Sequence, residues 1–108
     1  MSTRLQWIEG QIEGIKQDLQ QIQAMRPGSL TRQYRLPKEK RRPFYQLSYT
    51  HRMKSRSEYV RPENLAALRK ETATFRRFKT LVERWIALAL EASQLRVRQA
   101  IAKPRHRP

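Results

Sequence analysis

Phe44-Tyr45-Gln46-Leu47-Ser48-Tyr49-Thr50 sets Tyr45, Leu47 and Tyr49 in alternation with Gln46, Ser48 and Thr50. A period of two sends successive side chains to opposite faces of a strand, and the aromatic and β-branched content suits a pleated surface with one side covered. Upstream, Leu30, Tyr34 and Leu36 against Thr31, Gln33 and Arg35 predict a first strand. Downstream, His51-Arg52-Met53-Lys54 reads as a polar turn into a third strand, Ser55–Val60. This hairpin carries no Asn-Gly or Gly-rich signal, so its turn type stays open. Pro37-Lys38-Glu39-Lys40-Arg41-Arg42-Pro43, bracketed by prolines, reads as an exposed basic loop between the first two strands.

On either side of this segment the period turns helical. Leu5, Ile8, Ile12, Ile15, Leu19, Ile22 and Met25 form a coiled-coil-like stripe that Arg26-Pro27-Gly28 ends. Ser2 or Thr3 is placed to cap its start. Gly10 and Gly14 either admit another backbone or weaken the helix by about 1 kcal/mol each relative to Ala. Pro62-Glu63-Asn64 opens a second helix with Leu65, Leu68, Phe75, Phe78, Val82, Trp85, Ala89 and Ala92 on one stripe. Nothing breaks it before Pro104, although a bend near Thr72 or Thr74 would let it fold back on the sheet. Some forty residues extend about 60 Å against about 35 Å for the first helix, so the first cannot cover it all. The expected fold is α+β: an N-terminal amphipathic helix (1–26), a basic three-stranded antiparallel sheet (27–61), a long C-terminal helix (62–102) and a disordered basic tail (103–108).

Charge separates the parts. Twenty-four Lys and Arg against nine Asp and Glu in 108 residues give a net +15. Residues 1–25 sum to −1, whereas residues 26–61 hold eleven basic side chains against two acidic and residues 62–108 eleven against four. Such a surplus repels copies of itself at low ionic strength unless phosphates neutralise it. Nucleic acid is the first candidate partner; an anionic membrane surface is the weaker one, because neither helix joins a basic polar face to an aromatic-rich apolar face throughout. The chain has no cysteine, two histidines and one aspartate, with no glycine-rich phosphate loop and no acid pair spaced like a metal-dependent nuclease site. The expectation is therefore no enzyme activity, metal, cofactor or small-molecule substrate. No run of eighteen or so apolar residues is present and the N-terminus has no signal-peptide pattern, so the expected place is the cytoplasm, bacterial on size and composition, in association with nucleic acid.

A sheet with Leu30, Tyr34, Leu47 and Tyr49 turned inward presents Thr31, Gln33, Arg35, Gln46, Ser48, Thr50 and Arg56 outward, side chains able to read base edges or sugar-phosphate. Arg32, Lys38, Lys40, Arg41, Arg42, Arg52, Lys54 and Arg61 flank that face, and Arg forks match phosphate oxygens. Arg69, Arg76 and Arg77 form a second basic set on one flank of the long helix. Tyr34, Tyr45 and Tyr49 would stack unpaired bases if they faced outward; facing the core, they leave duplex binding as the better reading. Ile12, Ile15, Leu19, Leu81, Trp85 and Leu88 are the expected protein interface, to a second copy in a homodimer or to a larger partner. An adaptor that docks on a larger transposase or nuclease, with nucleic-acid contact secondary, is the alternative.

The run Gly28-Ser29-Leu30-Thr31-Arg32-Gln33-Tyr34-Arg35, followed by Arg42-Pro43-Phe44-Tyr45-Gln46-Leu47-Ser48-Tyr49-Thr50 and Ser57-Glu58-Tyr59-Val60-Arg61-Pro62-Glu63, resembles a family of uncharacterised small basic bacterial proteins. Its members are often encoded near transposases or in other mobile elements, and the resemblance covers most of residues 28–90. It implies an accessory role in mobile-element biology and nothing about catalysis. Many relatives place cysteines and a His-Gly-Pro in the connection before the Tyr-rich strand. Here Pro37–Pro43 has neither Cys nor His, which leaves no metal knuckle at that place.

Overall fold

The computed structural model describes residues 3–36, 38 and 41–102, with Arg41, Arg42 and Ala102 described in backbone only. Lys40, the capping position Ser2 and the tail 103–108 lie outside the described residues. The elements run α1 (Thr3–Gln20), β1 (Ser29–Leu36), β2 (Arg41–His51), β3 (Lys54–Val60), a 3₁₀ turn (Pro62–Asn64) and α2 (Leu65–Ala102). This is the expected α+β order of helix, antiparallel sheet and long helix. Two compact units form: one holds α1 and α2 from Lys79 onward, the other Ile22–Phe78.

In the second unit the strands pair in the order β1-β2-β3, both pairs antiparallel. Leu30 lies opposite Leu47, and Tyr45 opposite Val60, so these apolar residues share one face. Leu47 is 1% exposed and Val60 is also buried, as is Thr72 on α2. The first part of α2 lies on this side: Arg69 Nη2 donates to Tyr45 Oη at 2.7 Å, and the Arg26 amide donates to the Glu71 carbonyl at 3.0 Å. α2 runs unbroken through Thr72 and Thr74, whose hydroxyls bond back to the carbonyls of Arg69 and Lys70.

β2 starts at Arg41, so Arg41-Arg42-Pro43 belongs to a strand and the connection from β1 is shorter than the seven-residue loop expected. Proline is tolerated there because β3 ends opposite Tyr45: at Pro43 only β1 is alongside, and the missing donor falls where no third strand is present. At the other end His51 pairs with Lys54, leaving a two-residue loop with φ of 51° at Arg52 and 65° at Met53. Two left-handed residues in succession make a type I′ turn, the form that matches strand twist and that Asn-Gly adopts without strain. Arg and Met each cost roughly 1–2 kcal/mol in that conformation.

Gly28 has φ 132°, and a Cβ there would lie 2.7 Å from the Ser48 carbonyl oxygen and 3.1 Å from Leu47 Cδ1. Replacing Gly28 by alanine is therefore expected to destabilise the protein, by roughly 1–3 kcal/mol from backbone conformation alone and more from the contact with a backbone oxygen that cannot move aside. Urea denaturation followed by circular dichroism measures it; a change under about 0.5 kcal/mol, the usual surface range, would contradict this close approach.

In the first unit Ile8, 0% exposed, and Ile15 sit seven residues apart on α1, and Leu81 and Leu88 sit seven apart on α2, all buried together with Ala92. Arg4 bonds Glu91 while Gln11 bonds Arg84, so seven residues forward on α1 matches seven back on α2: the helices are antiparallel on a heptad seam. A Cβ at Gly10 or Gly14 would meet nothing within 4 Å, so among the described residues no other backbone uses those gaps. α1 stops at Gln20, short of the expected boundary at residue 26. Past it Arg26 leaves the helical stripe because its amide and guanidinium find partners in the sheet unit, Glu71 and Glu58.

Candidate nucleic-acid interface

The register divides the sheet into two chemically distinct faces. Thr31 pairs with Gln46 and Ser48 with Ser57, which puts Ser29, Thr31, Gln33, Arg35, Phe44, Gln46, Ser48, Thr50, Ser55, Ser57 and Tyr59 on one side. Cross-strand rungs lie along it: Gln33 Nε2 to Gln46 Oε1 at 3.3 Å, Ser48 Oγ with Ser57 Oγ at 3.1 Å, and Thr50 Oγ1 with Ser55 Oγ at 3.0 Å. Each hydroxyl and amide keeps further hydrogen-bonding capacity toward solvent. Near its open end Arg35 stacks over Phe44, 5.2 Å from the ring centre, and Phe44 leans on Tyr59.

The opposite face carries Tyr34, Tyr45 and Tyr49 beside Leu30 and Leu47, all at least partly covered. Arg32 stacks on Tyr34 and Arg69 on Tyr45. Arg56 lies opposite Tyr49, so it stands on the tyrosine face and not, as expected, with Gln46, Ser48 and Thr50. At the hairpin end, Tyr49, His51, Arg52, Lys54 and Arg56 line an open recess of about 320 Å³. A phenol and four nitrogen bases with no carboxylate in the lining make an anion-attracting surface.

Arg26, which the sequence pattern did not single out, organises the neighbouring region. Its guanidinium lies over the Tyr49 ring at 5.0 Å and donates to Glu58 Oε2 at 3.1 Å, while Tyr49 Oη donates to Glu58 Oε1 at 3.0 Å. The Tyr49 hydroxyl, and after it Arg26, hold the Glu58 carboxyl below its ordinary pKa. A lowered carboxylate pKa stabilises the fold above the ordinary value of 4.5, and that contribution is lost as pH falls through the native value below it. Glu58→Gln is accordingly expected to lower the melting temperature near about pH 7, with the gap to wild type closing as pH drops below 4.5. Melts across that range check the sign, and a gap that widens in acid would contradict it. Glu91, held down by the Arg4 guanidinium, titrates in the same direction in both proteins.

The remaining expected contacts spread over several surfaces. Lys38, in the β1–β2 connection, and Arg61, after β3, are exposed, and Arg61 lines a second recess of about 340 Å³ with Arg26, Glu58 and Glu71. Arg69, Arg76 and Arg77 are all exposed on α2, and Arg69 also bonds Tyr45. Of the expected protein-interface residues, Ile15, Leu81 and Leu88 are buried within the chain, Ile12, Leu19 and Trp85 are half-buried, and Lys16 Nζ sits 5.6 Å from the Trp85 ring. The α1–α2 seam itself covers them. Ile86, Leu90, Val97 and Ile101 are the large exposed apolar residues of this part of α2 among the described residues. Among the described residues, no helix is long and apolar enough to cross a membrane. Comparison of the chain with protein-family models, with curated proteins and with solved structures finds no match.

Proposed function

We propose that this chain is a non-enzymatic nucleic-acid-binding accessory protein of the bacterial cytoplasm, gripping duplex DNA or structured RNA through its sheet and assembling through its helices. The observation that carries the reading is the sheet's exposed polar face with its Ser, Thr and Gln rungs, together with the basic hairpin end, where His51, Arg52, Lys54 and Arg56 line a recess on the tyrosine side of the same two strands. A two-stranded ribbon fits the width of a B-DNA major groove, and hydroxyl and amide groups suit base edges and sugar-phosphate. Tyr34, Tyr45 and Tyr49, turned toward the covered face, favour a duplex over a stacked single strand, while Tyr59 and Phe44 on the polar face lean on one another. Service in a mobile element or its nucleoprotein complex is the part of the proposal that rests on the resemblance over most of residues 28–90. With about six to ten phosphates contacted, affinity for a short duplex should fall by roughly 10³ to 10⁵ between 50 and 200 mM salt in a fluorescence-anisotropy titration. Binding that ignores salt, or none at about 10 µM and low salt, overturns the reading.

The exposed face of α2 supports the assembly half. In a two-fold antiparallel pairing of α2 with itself, Ile86 of one copy lies opposite Ile101 of the other and Leu90 opposite Val97, both pairs centred between Ser93 and Gln94. Such self-complementarity is what an isologous dimer requires. Light scattering that shows a monomer at all concentrations, with and without duplex, removes the second copy and leaves the adaptor reading. A stoichiometric protein complex that survives nuclease treatment and charge reversal at Arg41 and Arg42 would favour that adaptor.

A further inference from the structure

We propose that the β2–β3 hairpin tip is a wedge: Met53 enters the base stack of duplex DNA while Arg52, Lys54 and Arg56 hold phosphates beside the opened step. This rests on the nucleic-acid reading above and adds a mode of engagement to it. Met53 is 97% exposed, the most exposed large apolar side chain among the described residues. It occupies a position where the backbone favours glycine: Arg52 and Met53 both have positive φ, at 51° and 65°. A chain that needed only to turn would do so at less strain with Asn-Gly. Strain kept in a two-residue loop that holds out one cation and one long apolar side chain points to use of those side chains.

The surroundings fit the same use. His51, Arg52, Lys54 and Arg56 line the recess behind the tip, so an apolar probe is ringed by phosphate-binding groups. Directly behind, the Thr50–Ser55 rung ties the two strands at 3.0 Å and stiffens the base of the tip. Methionine belongs to the apolar side chains that proteins push between base pairs, unstacking a step and kinking the duplex. The ligand is double-stranded B-DNA in preference to RNA, because pyrimidine–purine steps of B-DNA are easily kinked and unstacked. TA and CA/TG steps should therefore be preferred to A-tracts of equal charge.

The test uses the full chain and a duplex of about 20 bp with 2-aminopurine beside a central TA step, at salt low enough for saturation. Wild type is expected to raise the 2-aminopurine emission several-fold on binding, and Met53→Leu to do the same. Met53→Ser is expected to lose the rise while keeping a salt slope within about one unit of wild type, since phosphate contacts set that slope. Arg52→Asn with Met53→Gly should lose it too and melt higher than wild type, which shows that the loss does not come from misfolding. Saturated binding with no rise, or an equal rise in Met53→Ser, overturns the wedge and leaves phosphate binding intact. Failure of wild type to bind the duplex at all overturns both readings.

Discussion

Replacing Arg52, Lys54 and Arg56 together by glutamine is expected to weaken duplex binding by about 500-fold near 0.1 M salt, with the slope of log affinity against log salt reduced by about 2.7. The figure follows from counterion release: each phosphate neutralised adds roughly 0.9 to the slope, and the electrostatic part vanishes toward about 1 M. All three side chains are exposed at one end of the ribbon, so their removal leaves the buried residues Leu47, Val60 and Thr72 untouched. Net charge is the competing explanation, since a chain at +15 attracts any polyanion. Lys16, Arg96 and Arg98 changed to glutamine remove the same charge from the helical unit, where Lys16 and Arg96 already face Glu13 and Glu9. Exposed pairs of this kind contribute at most about 1 kcal/mol each to stability, so that variant stays folded. It is expected to bind within about fivefold of wild type, because neutralised cations release few counterions. Equal losses in the two variants would mean that the grip is diffuse and that the hairpin has no special part.

The alternation at Phe44–Thr50 was enough to place the body of β2 and its covered face, because a period of two with one apolar side admits a single register, whereas Arg41-Arg42-Pro43, with no such alternation, hid the strand's start. β3 was harder. Lys54-Ser55-Arg56-Ser57-Glu58 is polar on both sides, so only the length of the loop decides which face each residue takes, and pairing of His51 with Lys54 sends Arg56 to the tyrosine side. The end of α1 was hidden for a different reason. Ile22 and Met25 continue the stripe locally, but Arg26 answers to Glu58 and Glu71, partners far along the chain that no local period reports. A similar ambiguity affected the seam: periodicity shows that Ile15, Leu81 and Leu88 need cover and is silent on whether the cover belongs to the same chain. Here α1 supplies it, and the unpaired surface moves round α2 to Ile86, Leu90, Val97 and Ile101. The basic set was visible by type, whereas the strained tip was not, since Arg-Met carries none of the residues that normally announce a type I′ turn.

Leu47→Ala should cost about 2–5 kcal/mol, whereas Ser48→Ala, one residue on, should stay within about 0.5 kcal/mol of wild type. Leu47 is 1% exposed and lies opposite Leu30 and Glu58, while Ser48 is exposed and shares its hydroxyl contact with Ser57. A chain of this size holds roughly 5–15 kcal/mol in total, so the first change removes a large part of it. The pair also tests the register, because a slip of β2 by one residue would exchange the two positions and reverse the order of the effects. Gly28 adds a coupling. A Cβ there meets Leu47 Cδ1 at 3.1 Å and the Ser48 carbonyl at 2.7 Å, so truncating Leu47 relieves the first contact and leaves the second. Gly28→Ala combined with Leu47→Ala should therefore cost less than the two changes summed, by more than the roughly 0.5 kcal/mol scatter of independent sites. Chemical denaturation of the four proteins measures it, and strict additivity would mean that Gly28 does not pack against Leu47.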